Sequence, residues 1–195
     1  TKLSSITTTQ YYYPFLIYMI KVLFVCTGNI CRSPIAEETF RHAVKKRNLQ
    51  RVIQCDSAAT HSYHIGELPD HRTRKNASSH EIELLHRCRK LTGEDFSVFD
   101  YIVGMDDYNM DNIQSISYRA TGMHQPDDIC FMYRRFDPEV PIPNRDFPID
   151  SSEYKNPEVP DPYYGQNEDF ENVYQIVSRC AEEFLDFLVR THGLQ

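Results

Sequence analysis

The 195-residue sequence predicts a three-layer α/β fold, in which a four-stranded parallel sheet carries helices on both faces. Two observations support this fold. Strand-like and helix-like segments alternate along the chain, as they do when right-handed crossovers join parallel strands. The segment Val22–Val25 is apolar at every position, which is typical of a strand buried on both sides. Ligands of such folds bind at the carboxyl ends of the strands.

Four strands are predicted in all. The first is Val22–Val25, and it ends at a turn that contains glycine. Residues 52–55, 99–105 and 129–133 supply the others, because β-branched and aromatic residues are frequent in these short segments. Their spacing leaves room for a helix between most consecutive strands.

Three helices are predicted. Ser33 and Pro34 indicate the start of the first, with serine as the cap and proline at the first helical position. Apolar residues among charges at 79–91 predict a second helix. A final helix is predicted because apolar residues near the end of the chain fall on one helical face: Phe170, Val173, Val177, Ala181, Phe184 and Leu188.

The charge balance and the cysteines exclude several classes of protein. With 28 acidic and 21 basic residues, the formal net charge is -7, which argues against general electrostatic binding of nucleic acid or an anionic membrane. An anionic substrate would therefore need a local positive site. The six cysteines lack the paired spacing of a zinc site and the density of a secreted disulfide scaffold. Reduced thiols in a cytoplasmic protein, without metal or organic cofactor, are the simpler interpretation.

The two ends of the chain are interpreted differently. Residues 1–18 are an N-terminal extension, for which a leader, a remnant of cloning and an added strand are equally open, and Met19 resembles a natural start. The apolar stretch 11–25 is interrupted by Lys21 and is shorter than the roughly 20 residues of a membrane-spanning helix. Residues 19–195 are expected to form one domain, in which proline-rich residues at about 139–156 are an inserted loop.

The segment Cys26–Ser33 carries the clearest chemical signal, and we call it the phosphate-binding loop. It lies between a predicted strand and a predicted helix, where backbone N–H groups and the positive helix end converge on an anion. Gly28 and Asn29 suit the positive backbone angles of such a cradle. The same field favours a Cys26 thiolate, which is a nucleophile. The remaining loop residues are Thr27, Ile30 and Cys31.

Arg32 and Asp161 complete the predicted catalytic set. Arg32 can hold two phosphate oxygens in a bidentate fork, which lysine cannot imitate. Asp161, between two prolines, is a candidate general acid for a phenolate leaving group. Tyr163 and Tyr164 would wall a slot for an aromatic ring. Taken singly, each residue also has an ordinary structural interpretation: a buried cysteine, a solvated arginine, a turn and two exposed tyrosines.

These motifs resemble those of the low-molecular-weight protein tyrosine phosphatases, from about Lys21 to the end of the chain. The resemblance implies hydrolysis of phosphotyrosine in protein substrates, with Cys26, Arg32 and Asp161 as nucleophile, clamp and acid. It also implies supporting residues: Asn29 and Ser33 within the loop, Ser57 and His86 behind it, and Tyr63 on the slot wall opposite Tyr164. A lone histidine such as His86 is as often an ordinary core or surface residue.

Three alternatives remain open on the sequence. A protein-arginine phosphatase of this fold carries threonine at the position of Ile30, and an arsenate reductase uses two further cysteines that Cys88 and Cys130 are too far apart to supply. A silent phosphotyrosine-binding module would keep the loop without turnover. Cys31 is a candidate redox partner that traps oxidised Cys26, although a small buried thiol is the plainer interpretation.

Overall fold

The computed structural model describes residues 18–140 and 157–194. Its sheet has four strands, all parallel, in the order β2-β1-β3-β4. The strands are β1 Ile20–Cys26, β2 Ile53–Ala59, β3 Tyr101–Gly104 and β4 Cys130–Met132. The predicted α/β fold with a four-stranded parallel sheet is confirmed, and each strand overlaps its predicted position.

Five helices and one short 3₁₀ turn connect and follow the strands within the described residues. They are α1 Arg32–Lys46, α2 His71–Ser79, α3 Asp95–Val98, α4 Asp107–Thr121 and α5 Asn167–His192, with the 3₁₀ turn at Tyr133–Phe136. Two separate apolar clusters show how the layers are arranged. One cluster joins the sheet to α1 and α5, and the other joins its opposite face to α4 and the residues around α3.

The central strand β1 explains why the sequence there is continuously apolar. Val22 and Phe24 point toward α1 and α5, whereas Leu23 and Val25 point toward α4. Successive side chains of a strand face opposite sides of the sheet, so both sides of β1 are buried. Strand β1 ends at Cys26, which lies at the carboxyl edge of the sheet, where ligands bind in such folds.

Helix α5 covers most of one face and confirms the predicted final helix. All six residues of the predicted stripe are buried, and Phe184 lies among aromatic rings from α1, β3, β4 and the 3₁₀ turn. Gln166 and Asp169 form a capping box at its start, and Gly193 ends it in the left-handed conformation (φ 61°).

The predicted helix at 79–91 is wrong. Helix α2 lies before this segment, and the chain turns at Glu81 in the left-handed conformation (φ 61°) before it runs on extended. Ile82 and Leu84 are buried while Leu85 is exposed, which is the two-residue period of a strand. The residues pack along one edge of the sheet, where the Leu91 N–H donates to Ala59 O at 2.8 Å.

Two other details of the helices differ from the prediction. Helix α1 begins at Arg32 with Cys31 at its N-cap, so Ser33 lies inside the helix rather than at its cap. Helix α4 was not predicted, because only Ile113 among its large apolar residues is fully buried. Its start is fixed by the Asp106 carboxylate, which accepts the Asn109 N–H at 2.6 Å.

Two predictions concern residues outside the described ones. The interpretation of residues 1–18 and most of the proline-rich loop at 139–156 fall in the stretches 1–17 and 141–156. Of the predicted extension, only Tyr18 is described, and its hydroxyl donates to Asp100. In the described ranges, none of the helices has the length and apolar character to cross a membrane.

Candidate active site

The phosphate-binding loop joins β1 to α1 at the carboxyl edge of the sheet. Its carbonyl oxygens at Thr27, Gly28 and Ile30 accept hydrogen bonds from segments outside the loop, at 3.1, 3.1 and 2.9 Å. Because N–H and C=O point in opposite directions across a planar peptide, the corresponding N–H groups face the interior of the loop. Asn29 completes the curve with a left-handed backbone (φ 54°). The loop is therefore shaped to receive an anion.

The Cys26 sulfur is buried inside this loop. The Asn29 N–H donates to it at 3.2 Å, and Ser33 Oγ lies 3.1 Å away. Ser33 Oγ already accepts a hydrogen bond from the Asn29 amide at 2.9 Å, so its own proton is free to point at the sulfur. Both contacts stabilise negative charge on Cys26.

The Asn29 side chain uses its full hydrogen-bonding capacity. Its amide nitrogen donates to Ser33 and Ser57, both at 2.9 Å, while its oxygen accepts from His86 Nε2 at 2.8 Å and from the Arg89 N–H at 3.1 Å. Ser57 and His86 thus both contact the Asn29 side chain. The four bonds join the loop to α1, to β2 and to the extended segment after α2.

Glu37, in helix α1, ends this chain of hydrogen bonds and was not predicted as a site residue. Its buried carboxylate accepts from Ser57 Oγ at 2.7 Å and pairs with Arg41, and it lies 3.4 Å from His86 Nδ1. Burial raises the pKa of Glu37 to about 7 and lowers the pKa of His86. Glu37 therefore takes up a proton more readily than an exposed carboxylate does, and it lies beside the imidazole.

Within the described ranges, one group has the spacing of a metal site. Ligand atoms of Glu37, Asp56 and His86 all lie within 4.8 Å of one another. Each residue already has a partner, because Arg41 pairs with Glu37, Arg89 Nε donates to Asp56 at 2.8 Å, and His86 is bound to the loop. Two guanidinium groups beside the carboxylates supply the charge that a cation would bring. We interpret the group as a hydrogen-bonded support of the loop.

Arg32 is buried and joins two carboxylates. Its guanidinium pairs with Asp106, and its other terminal nitrogen donates to Asp161 Oδ2 at 2.9 Å. Asp106 was not predicted as a site residue. Its position two residues after β3, at the carboxyl end of a central strand, was the signal available in the sequence.

Asp161 is positioned by the sheet rather than by its own loop. The Val159 N–H donates to Met105 O, at the end of β3, at 2.8 Å. Val159 is itself fully buried, so the backbone two residues before Asp161 is fixed. The Asp161 carboxylate also accepts the Tyr163 N–H at 3.2 Å, which orients the side chain.

A cavity of about 300 Å³ opens over the loop and brings the predicted residues together. Tyr63, Tyr163 and Tyr164 stand on its walls, and Tyr164 is almost fully exposed. The Arg72 guanidinium lies 5.5 Å from the centre of the Tyr163 ring and 4.7 Å from that of Phe170. The cavity is lined by Cys26, Thr27, Gly28, Ile30, Cys31, Arg32, Tyr63, His64, Asp161, Tyr163 and Tyr164. His64 was not predicted.

A comparison with known families decides where the chain belongs. The family described as "Low molecular weight phosphotyrosine protein phosphatase" matches residues 21–193. The chain belongs to this family. The resemblance drawn from the loop motif is thereby confirmed, as is the predicted enzyme class, since the similar relatives are named as phosphotyrosine protein phosphatases.

Individual members of the low molecular weight phosphatase family match over most of their length. The human low molecular weight phosphotyrosine protein phosphatase is 39% identical, across 85% of this chain and 93% of its own. A protein tyrosine phosphatase from Entamoeba histolytica has a similar structure (TM-score 0.72, 31% identity, 90% of this chain and 99% of its own). An arginine phosphatase from Drosophila is also similar (TM-score 0.71, 29% identity, 86% and 97%).

The raised pKa of Glu37 predicts a pH-dependent stability. The folded protein holds this proton more tightly than the unfolded chain, so the contribution of Glu37 is complete below pH 4.5 and is lost as the pH rises through about 7. Glu37→Gln stays neutral at every pH. We expect its free energy of unfolding, relative to the unsubstituted protein, to rise by about 1–3 kcal/mol between about pH 5 and about pH 8.

Urea denaturation at both pH values measures this difference. Glu38→Gln is the matched control, because Glu38 lies on the same helix and pairs with the same Arg41 but is less buried. The control is expected to show no such rise. An equal pH response in the two variants would contradict the assignment of the proton to Glu37.

Proposed function

We propose that this chain hydrolyses phosphotyrosine in proteins through a phosphocysteine intermediate, with Cys26 as nucleophile, Arg32 as phosphate clamp and Asp161 as general acid. One observation carries the proposal. The Cys26 sulfur receives two hydrogen bonds at the centre of an anion-binding loop, and Arg32 and Asp161 line the cavity above it. Nucleophile, positive charge and acid therefore face the same small volume.

In the first step, the Cys26 thiolate attacks phosphorus and the bond from phosphorus to the tyrosine oxygen breaks. Loop N–H groups and the Arg32 guanidinium stabilise the charge on the transferring phosphoryl oxygens, and they are fixed in place beforehand. The Asp106 ion pair holds the guanidinium in position. Asp161 gives its proton to the leaving phenolate oxygen, so that tyrosine departs as a neutral phenol.

In the second step, water hydrolyses the phosphocysteine. Asp161, now a carboxylate, accepts a proton from the attacking water, whose oxygen bonds to phosphorus as the bond to sulfur breaks. Inorganic phosphate leaves, Cys26 returns to the thiolate and Asp161 is protonated again. Ser33 and the Asn29 N–H stabilise the leaving thiolate through the contacts they make in the free protein.

An aromatic substrate suits the walls of the cavity better than a flexible one. Apolar surface around the loop comes from Tyr63, Tyr163 and Ile30. The Arg72 guanidinium makes a cation–π contact with the Tyr163 ring. Ring stacking on such a wall adds about 0.5–1.5 kcal/mol to the area buried. A fold shared with the Drosophila arginine phosphatase does not by itself choose between the two phosphorylated residues. Arginine phosphatase activity is therefore the competing function.

The test compares matched peptides that carry phosphotyrosine or phosphoarginine, together with a small aryl phosphate. We expect phosphotyrosine and aryl phosphate to be hydrolysed and phosphoarginine to be a poor substrate, as measured by phosphate release. Cys26→Ser should abolish turnover while vanadate still binds, and Arg32→Lys should lower kcat by roughly 10²-fold or more, because a point charge replaces the fork. Preference for phosphoarginine, or binding without turnover in the unsubstituted protein, would contradict the proposal.

The role of Asp161 predicts a dependence on the leaving group. Asp161→Asn should slow hydrolysis of phosphotyrosine by about 10²- to 10⁴-fold, whereas an aryl phosphate with an acidic phenol needs little protonation and should be affected much less. Steady-state kinetics on the two substrates measure the ratio. Asp128→Asn, an exposed aspartate before β4, is the control and should leave the ratio unchanged. Equal losses on both substrates would make Asp161 a structural residue.

The thiols around the loop support a redox role for Cys31, in a chain that we expect to work in the reducing cytoplasm. All six cysteines are free in the structure. Burial raises the pKa of Cys31 to about 12, so peroxide attacks the Cys26 thiolate first and gives a sulfenic acid. The Cys31 thiol can then displace water to form a disulfide, which dithiothreitol reduces.

This role predicts which variant loses protection against peroxide. Cys31→Ser should recover little activity after peroxide and then dithiothreitol, whereas the unsubstituted protein should recover most of it. Cys88→Ser is the matched control, because the Cys88 thiol also lies against the loop and donates to Gly28 O at 3.1 Å. Equal recovery in all three proteins would remove Cys31 from a protective role, and selective loss in Cys88→Ser would move that role to Cys88.

A further inference from the structure

Three rings form a continuous surface that leads away from the mouth of the cavity. The His61 ring stacks on Tyr63 (centroids 5.3 Å apart, planes 13° apart) and on Tyr108 (5.8 Å, 16°). We call Tyr63, His61 and Tyr108 the aromatic row. Tyr63 belongs both to the row and to the cavity wall, so the row begins where the cavity ends.

The aromatic row is exposed at both of its ends, and His61 and Tyr108 are held by hydrogen bonds. Tyr63 and Tyr108 are 71% and 55% exposed, although each of them stacks on His61. Both His61 ring nitrogens have partners, the Thr60 hydroxyl at 2.9 Å and the Tyr108 hydroxyl at 3.3 Å. The hydrogen bonds hold the rings in place, so what the row offers to a partner is mainly carbon surface.

The position of the aromatic row, beside the cavity, indicates which part of a protein substrate would contact it. A protein substrate whose phosphotyrosine enters the cavity must lay its neighbouring residues across the rim. The two distances between neighbouring ring centroids, 5.3 and 5.8 Å, together match the length of roughly three residues of extended chain. The row is therefore within reach of residues two or three positions from the phosphotyrosine.

We propose that the aromatic row is a substrate subsite, which selects phosphotyrosine segments with proline or an aromatic residue two or three positions from the phosphotyrosine. The inference rests on the proposed function of the cavity. Proline and aromatic residues match a flat apolar surface, and a proline-rich segment is already extended when it binds.

Helix α4 provides a matched pair of variants to test the subsite. Tyr108 lies in its first turn within the row, whereas Tyr118 lies farther along, is also 55% exposed and also stacks on a histidine, His124, at 5.1 Å. Tyr108→Ala shortens the row and keeps the cavity wall at Tyr63. Tyr118→Ala removes an equivalent ring outside the row. Both positions are exposed, so both variants are expected to fold.

The experiment measures kcat/KM on phosphotyrosine peptides that differ only in the residues two and three positions away, on either side. Those residues are proline with phenylalanine, two alanines, or two arginines. We expect the unsubstituted protein to prefer the apolar peptide over the alanine peptide by about 3- to 10-fold, on one side of the phosphotyrosine. In Tyr108→Ala this ratio should fall close to one, and in Tyr118→Ala it should persist.

Each other outcome overturns the inference. Equal kcat/KM on all peptides, a ratio that survives Tyr108→Ala, or a preference for arginine would each exclude an apolar subsite on the row. Because every comparison is a ratio within one variant, a general loss of activity cancels. A failure of the proposed function is distinguishable, since the unsubstituted protein would then hydrolyse the phosphotyrosine peptides poorly whatever residues flank the phosphotyrosine.

Discussion

Asn29 adopts a left-handed backbone conformation, and the shape of the whole phosphate-binding loop depends on it. Such a conformation costs an L-residue roughly 1–2 kcal/mol. The Asn29 side chain donates two hydrogen bonds and accepts two, which offset that cost. They connect the loop to α1, β2 and the segment after α2. Glycine would allow the same turn but could make none of these bonds. The loop therefore keeps its shape as long as the surrounding helix, strand and segment keep their positions.

The same side chain also directs the electrostatics of Cys26. By donating to Ser33, Asn29 leaves the serine proton free for the sulfur, and by donating to Ser57 it passes the chain of bonds on to Glu37. Geometry and reactivity are therefore set by one connected network rather than by separate residues. Burial raises the pKa of Glu37, so the network ends on a carboxyl that carries less negative charge near neutral pH than an exposed one would.

How much of this the sequence predicted depended on the range of each interaction. The loop and its flanking elements were predictable, because a buried strand, eight loop residues and a helix start are contiguous in the chain. Asp106 and Glu37 were missed as site residues, because their roles arise only when β3 and α1 meet the loop in space. The helix predicted at 79–91 failed for a related reason. Its apolar residues fit a helical spacing, but packing beside β2 selects the extended form.

The hydrogen bond between the Val159 N–H and Met105 O has an evolutionary consequence. It makes the position of Asp161 independent of residues 141–156, because the carboxylate takes its place from the end of β3. Residues can then be added or removed upstream of this anchor without re-aiming the side chain that follows it. The place of Asp161 can accordingly stay the same while the length of the chain before Val159 changes, since longer loops cost little additional free energy.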